Sequence, residues 1–231
     1  MKKRVKITTL EWVLDMIFPC YCRECGKIGS AFCERCIFNN MKVNRPFFER
    51  SDKDFHSIFA CGIREGLLRD LILEYKYFSR RSLSRAFGLM LTEVIRRFSR
   101  GEKYIIVPLP TVSKHIRSRG FDHIGVICRD FAARTGFLVC PALSRVNSAV
   151  QVGSTAKKRL EQAKEAYMVN SKAILDKKSH FLLVDDVWTT GASMRAARGV
   201  LEDELMRLGA RKSEIKISAI CLAKNDGCDF S

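Results

Sequence analysis

Phe181 to Ser193 reads FLLVDDVWTTGAS, and this stretch decides the fold. Phe181 to Val184 is a short apolar run of the kind that makes a buried parallel strand. Asp185 and Asp186 follow at once. A turn of small and hydroxyl residues comes next: Thr189, Thr190, Gly191, Ala192 and Ser193. Met194 to Leu208 then carries apolar residues at helical spacing. The order is strand, acidic pair, tight turn, helix, which predicts an α/β chain with a parallel sheet flanked by helices.

Each part has a chemical use. Ligands of open α/β sheets sit beyond the carboxyl ends of the strands. A turn that opens a helix presents unpaired backbone N–H groups, and the helix dipole favours an anion there. Thr189, Thr190 and Ser193 add hydroxyls, and Gly191 lets the backbone come close. The turn therefore suits a phosphate. The two carboxylates repel that phosphate and suit what lies beside it: sugar hydroxyls, a hydrated Mg²⁺ or a developing cation. Because side chains alternate along a strand, both reach one ligand only if the strand has ended by Val184. A plain buried strand before a capped helix would leave the acidic pair at a cost without a partner. Trp188 either packs or stacks on a ligand, and packing is the simpler expectation.

Working outward, Tyr104 to Val107 is a second apolar run, stopped by Pro108-Leu109-Pro110 and followed by Thr111, Ser113 and Lys114. This predicts a second loop at the same sheet edge. Arg117-Ser118-Arg119-Gly120-Phe121-Asp122-His123 then reads either as a mobile cationic arm able to clamp pyrophosphate or as an ordinary basic turn. His123 is either an acid–base group or a surface histidine at a helix start. Gly66 to Tyr77 and Leu83 to Phe98 have amphipathic helical patterns, and Lys76 lies at the end of the first. Ile124 to Thr135 reads as a helix, Phe137 to Cys140 and Ile215 to Ala223 as strands, and Asn39 to Asp54 as a polar linker. Ala142 to Lys172 reads as a polar passage draped over the site.

The 231 residues suffice for one α/β domain plus a small module, with boundaries expected at 1–45 and 46–231. The small module is marked by CYCRECGKIGSAFCERC, Cys20 to Cys36. Two C-x-x-C pairs, Cys22 with Cys25 and Cys33 with Cys36, are spaced to complete a tetrahedral, structural Zn²⁺ site. Cys20 is a spare that could replace Cys22, and a redox pair or free thiols are the other readings. Ten cysteines, clustered in this way, fit metal binding in a reducing cytoplasm better than secretion. Ile7 to Phe18 is patterned as a helix stopped by Pro19. No run is apolar for the ~20 residues of a membrane span, and the N-terminus does not read as a signal peptide.

The net charge of +16 is a real excess and points toward polyanions. From Lys76 to Arg129 there are twelve Lys or Arg against three acids. Solvated helix faces explain this, and so does a basic wall for pyrophosphate or single-stranded DNA. Tyr75, Tyr77 and Phe78 lie nearby for base stacking.

The central stretch resembles the PRPP-binding signature of type I phosphoribosyltransferases. The order of the whole chain resembles the ComF family of phosphoribosyltransferase-like proteins. That likeness rests on Phe18-Pro19 before the cysteines, Glu74-Tyr75-Lys76-Tyr77, Gly88, Val107 to Pro110, and Arg119-Gly120-Phe121-Asp122-His123. It continues through Gln151, Gly153 and Arg159 to the Val184 to Ser193 turn. Asp122-His123 stands where that family usually has Asn-Gln, Gln162 where an asparagine is common, and Ser154-Thr155 where Leu-Ser is common.

The resemblance implies a type I phosphoribosyltransferase-like sheet with an N-terminal zinc ribbon. It implies that Thr189, Thr190, Gly191, Ala192 and Ser193 hold the 5-phosphate of PRPP, and that Asp185 and Asp186 hold the ribose and act in catalysis. Pro110, Thr111, Ser113 and Lys114, with Arg117 and Arg119, would meet the pyrophosphate, and Lys76 would also bind PRPP. Mg²⁺ would arrive with PRPP, and Zn²⁺ would sit on Cys22, Cys25, Cys33 and Cys36. The family likeness also implies a link to DNA uptake in natural transformation. The rival expectation is a non-catalytic accessory protein that binds single-stranded DNA or a helicase on the same scaffold.

Overall fold

The computed structural model describes residues 20–43, 47–50, 54–78, 80–99, 101–146, 166–171, 173 and 175–226. The expected N-terminal helix, and Gln151, Gly153, Arg159 and Gln162, lie outside them. In chain order the elements are α1 (Glu34–Val43), β1 (Phe47–Arg50), β2 (Ser57–Ala60), α2 (Gly66–Tyr77), α3 (Leu83–Phe98) and β3 (Ile105–Pro108). They continue as α4 (Ser113–Arg119), α5 (His123–Thr135), β4 (Leu138–Val139), β5 (Leu143–Arg145), β6 (Tyr167–Val169), β7 (His180–Trp188), α6 (Ala192–Arg207) and β8 (Lys216–Lys224).

The main sheet has the order β1-β2-β8-β7-β3-β4. β2, β8, β7, β3 and β4 run parallel, and β1 pairs antiparallel with β2 at the edge. This is the expected parallel sheet flanked by helices. The segment expected as a linker before Asp54 instead contains the end of α1 and the whole of β1. Phe47 and Phe48 are good strand formers, but it is their pairing with Ala60 and Phe59 that reveals the strand.

Strand alternation sorts the core into two layers. Phe59, Ile106, Leu182, Val184, Ile220 and Leu222 face one side, where they meet α2, α3 and α5. Ile58, Val107, Phe181, Leu183, Ala219 and Cys221 face the other, where they meet α6 and Leu143 and Tyr167 of the small β5–β6 sheet. The cysteine module joins the first layer: Phe32, Ile37 and Met41 are buried together with Phe87 and Met90 of α3. Gly88 lets α3 and α5 approach, since a Cβ there would meet the Asp130 side chain.

The chain leaves β3 through α4 and α5 to reach β4 on one side. It leaves β7 through α6 to reach β8 on the other. The crevice between β3 and β7 is therefore the topological switch point, where open α/β sheets take their ligands.

Candidate functional site

The crevice begins where β3 stops. The last β3–β7 pair is Pro108 with Val184, and Leu109 N–H donates to the Val184 carbonyl at 2.9 Å. β7 does not stop there. It runs on to Trp188 against β8, so Asp185 and Asp186 lie inside the strand and not beyond it. This corrects the expectation of a strand ended by Val184. Its physical cause is the β8 partner, which pairs Val187 and Trp188 with Ala223 and Lys224. The alternation still breaks at the acidic pair. Leu182, Val184 and Val187 border the first core layer, whereas Leu183 and Trp188 border the second.

The two carboxylates are electrostatically unlike. Asp186 is buried, and its Oδ2 takes two partners: Lys76 Nζ at 2.8 Å and His123 Nε2 at 2.7 Å. Burial alone would raise its pKa, but the His123 hydrogen bond and the Lys76 charge outweigh it and hold the group below the ordinary value. Asp185 accepts from the Asp186 N–H at 2.9 Å. Burial, and then the charge of Asp186, push its carboxyl from 3.8 up to about 7; Lys76 and Arg145 pull the other way. One carboxylate is thus firmly ionised, and its neighbour titrates near neutrality.

Of the two readings of His123, acid–base group or surface histidine, the surface one fails: the residue is 5% exposed. Its Nδ1 lies 3.2 Å from Thr111 Oγ1 and 3.0 Å from Arg119 Nη1. It therefore ties the loop after β3 and α4 to the acidic pair on β7. Thr111 Oγ1 also reaches Asp122 Oδ1 at 3.4 Å. Lys76, Thr111 and Arg119, which sequence reasoning singled out, meet at this one network. Ser113, Lys114 and Arg117 belong to α4 and are exposed, and Pro110 lies just before it, half-buried. The two arginines of the expected arm thus sit at the end of a short helix closed by Gly120, and that helix takes up Ser113 and Lys114 of the expected loop.

On the other side of the crevice, Thr189, Thr190 and Ser193 are exposed, and Gly191 caps α6 at φ 74°. Thr190 Oγ1 accepts from the Ala192 N–H at 3.4 Å. A Cβ on Gly191 would lie 2.5 Å from the Trp188 ring, so both conformation and space demand glycine. Trp188 is fully buried, edge-on to Phe55, with Arg195 stacked over it. It packs, as the simpler expectation had it. The turn offers backbone N–H groups and hydroxyls to an oxyanion, and it follows directly on the strand that carries the carboxylate pair.

The cysteine module forms a separate centre. The thiols of Cys22, Cys25, Cys33 and Cys36 converge with every pair of sulfurs within 4.8 Å, and all four are free of disulfides. Cys20 stands apart, 3.8 Å from Ser82 Oγ, which leaves Cys22 as the first member of the set. Burial works against a Cys22 thiolate, but the N–H groups of Cys33, Cys25 and Glu24 bring its pKa down to about 6. Four thiolates fit a closed structural zinc site, and the cluster can hold that ion. No helix among the described residues is long and apolar enough to cross a membrane.

No protein-family model matches the chain. It is 22% identical over 192 residues to Competence protein ComFC of Streptococcus pneumoniae (strain ATCC BAA-255 / R6), covering 80% of this chain and 82% of that one. It is 22% identical over 186 residues to Competence protein ComFC of Bacillus subtilis (strain 168), covering 78% and 71%. Among solved structures, the adenine phosphoribosyltransferase from Leishmania tarentolae overlays with a TM-score of 0.37 at 13% identity, covering 78% of this chain and 95% of that one. That overlay is too loose to carry weight. The two sequence likenesses support membership of the ComF family.

Proposed function

We propose that this ComF-family chain binds PRPP with Mg²⁺ in the β3–β7 crevice, in a role linked to competence. The observation that carries the reading is the pairing of an oxyanion-sized turn at the amino end of α6 with an acidic pair on the strand that feeds it. The turn, Thr189 to Ser193, would receive the 5-phosphate. Asp185 and Asp186 would meet the ribose hydroxyls. Lys76, Arg119 and Thr111, with Pro110, Ser113, Lys114 and Arg117 around them, would face the pyrophosphate. The ion would be held mostly by ligand and water.

His123 adds a feature to this reading. Its hydrogen bond to Asp186 and its contacts with Thr111 and Arg119 couple the pyrophosphate side to the ribose side. If the ligand reacts, departure of pyrophosphate leaves positive charge at the sugar carbon. An ionised Asp186 lies on hand to stabilise it without a strong protein base. Calorimetric titration of Mg²⁺ and PRPP into wild type and into a Thr190→Ala/Ser193→Ala variant tests the assignment. Binding that weakens at least ten-fold in the variant supports it; equal affinity refutes it.

A second reading has its own observation. Tyr77 and Phe78 are 69% and 73% exposed, and Arg119 stacks over Tyr77 while Arg81 stacks over Phe121. Exposed aromatics among arginines are the elements of a single-strand platform. Binding of labelled single-stranded DNA that falls steeply with salt, and weakens in Tyr77→Ala/Phe78→Ala, would support it. No retention at low salt would remove it.

A further inference from the structure

At the amino edge of the sheet, opposite the crevice, the starts of three strands converge. His56 precedes β2, Glu102 precedes β3 and His180 opens β7. Each brings one ligand atom to within 4.8 Å of the other two. We propose that His56, Glu102 and His180 form a second metal site, separate from the cysteines, that takes a divalent transition ion such as Zn²⁺.

The surroundings are those of a supported ligand set. His180 Nε2 lies 2.8 Å from Ser218 Oγ, and Ser218 is fully buried. With Nε2 engaged, Nδ1 is the ring nitrogen left for an ion. It already faces Glu102 Oε2 at 3.2 Å. Tyr104 donates its hydroxyl to the same oxygen at 2.9 Å, which holds the carboxylate in place. Outer hydrogen bonds of this kind orient metal-bound histidines and carboxylates. The His56 ring stands edge-on to His180 with centroids 4.8 Å apart, and its backbone N–H is tied to Ile217 at 2.8 Å. A simple His–Glu pair has no need of this second imidazole.

The donor set fixes the class of ion. Two imidazoles and one carboxylate suit Zn²⁺, Co²⁺ or Ni²⁺; Ca²⁺ and Mg²⁺ ask for oxygen ligands. Three protein ligands leave a position for water, and Glu102, 38% exposed, opens the way in. Lys216 lies opposite His180 in the sheet but is exposed, so its long side chain can turn its charge to water. An ion here would join the starts of β2, β3 and β7, far from the crevice, so its work would be to brace the sheet.

The test is a Zn²⁺ titration of the full chain with its thiolate site already filled, read by a competing chromophoric chelator and by elemental mass spectrometry. Wild type should take up a second equivalent. His56→Ala and Glu102→Gln should lose it while keeping the first. Tyr104→Phe, which spares all three ligands, should weaken it about 10–100-fold. With Co²⁺, the second equivalent should add visible bands without the thiolate charge-transfer absorption of the first. A wild type that binds one equivalent only overturns the proposal. So does a second equivalent undiminished in folded His56→Ala and Glu102→Gln.

Discussion

Replacing Asp185 by Asn should stabilise the protein, and only above a definite pH. The unfolded chain ionises this carboxyl near 3.8, whereas in the folded chain burial and the neighbouring charge of Asp186 move it to about 7. Between those values the folded state holds the proton that the unfolded state has released, so stability falls as pH rises. Carried through at about 1.4 kcal/mol per pH unit, the difference gives a ceiling of about 4 kcal/mol. Asp185 keeps partial exposure, and water screening brings the expected gain nearer to ~2 kcal/mol. Asn also preserves the acceptor that meets the Asp186 N–H. For a chain of this size, that gain corresponds to about 4–8 °C in melting temperature. Melts of wild type and Asp185→Asn across pH should separate above neutrality and converge near pH ~4. A variant that loses stability at alkaline pH, or gains equally at every pH, would refute the reasoning.

The neighbouring substitution should have the opposite sign. Asp186→Asn leaves Lys76 and His123 without their shared partner and should cost about 3 kcal/mol or more at neutral pH. Since Asp186 has a lowered pKa, that cost should fade as acid titrates the wild-type carboxylate, which melts against pH would follow. Gly191→Ala forces a left-handed residue against the Trp188 ring and should lower the urea midpoint by the equivalent of at least ~1–2 kcal/mol. Cys25→Ser should release the zinc expected on the cysteine module, read by elemental analysis. Because Cys22, Cys36 and Phe32 share a core with α3, calorimetry should show the main transition move down, with no small transition splitting off.

Much of this was legible along the chain because it is local. Gly66 to Tyr77 and Leu83 to Phe98 are helices with the bounds that their apolar spacing predicts. The turn before α6 is readable from Thr189 to Ser193 alone. What was not legible depends on partners distant in sequence. The acidic pair looks like a strand end, yet β8 holds β7 straight through to Trp188. His123 reads equally as an acid–base group or a surface histidine, because Asp186, its buried partner, lies 63 residues away. β1 looks like linker until β2 is set beside it. His56, Glu102 and His180 are unremarkable in sequence, since only the parallel order of β2, β7 and β3 brings their strand starts together.

The central claim is that the β3–β7 crevice binds PRPP, and thermal unfolding with and without Mg²⁺ and PRPP tests it most directly. A ligand at about 100 times its dissociation constant stabilises a protein by roughly 2.7 kcal/mol, a shift that a melt resolves. Wild type should shift upward by several degrees only when both are present. Asp186→Asn, compared with its own unliganded melt, should not shift. A folded, zinc-loaded wild type that melts at the same temperature with and without ligand, or a variant that shifts as far as wild type, would contradict the account.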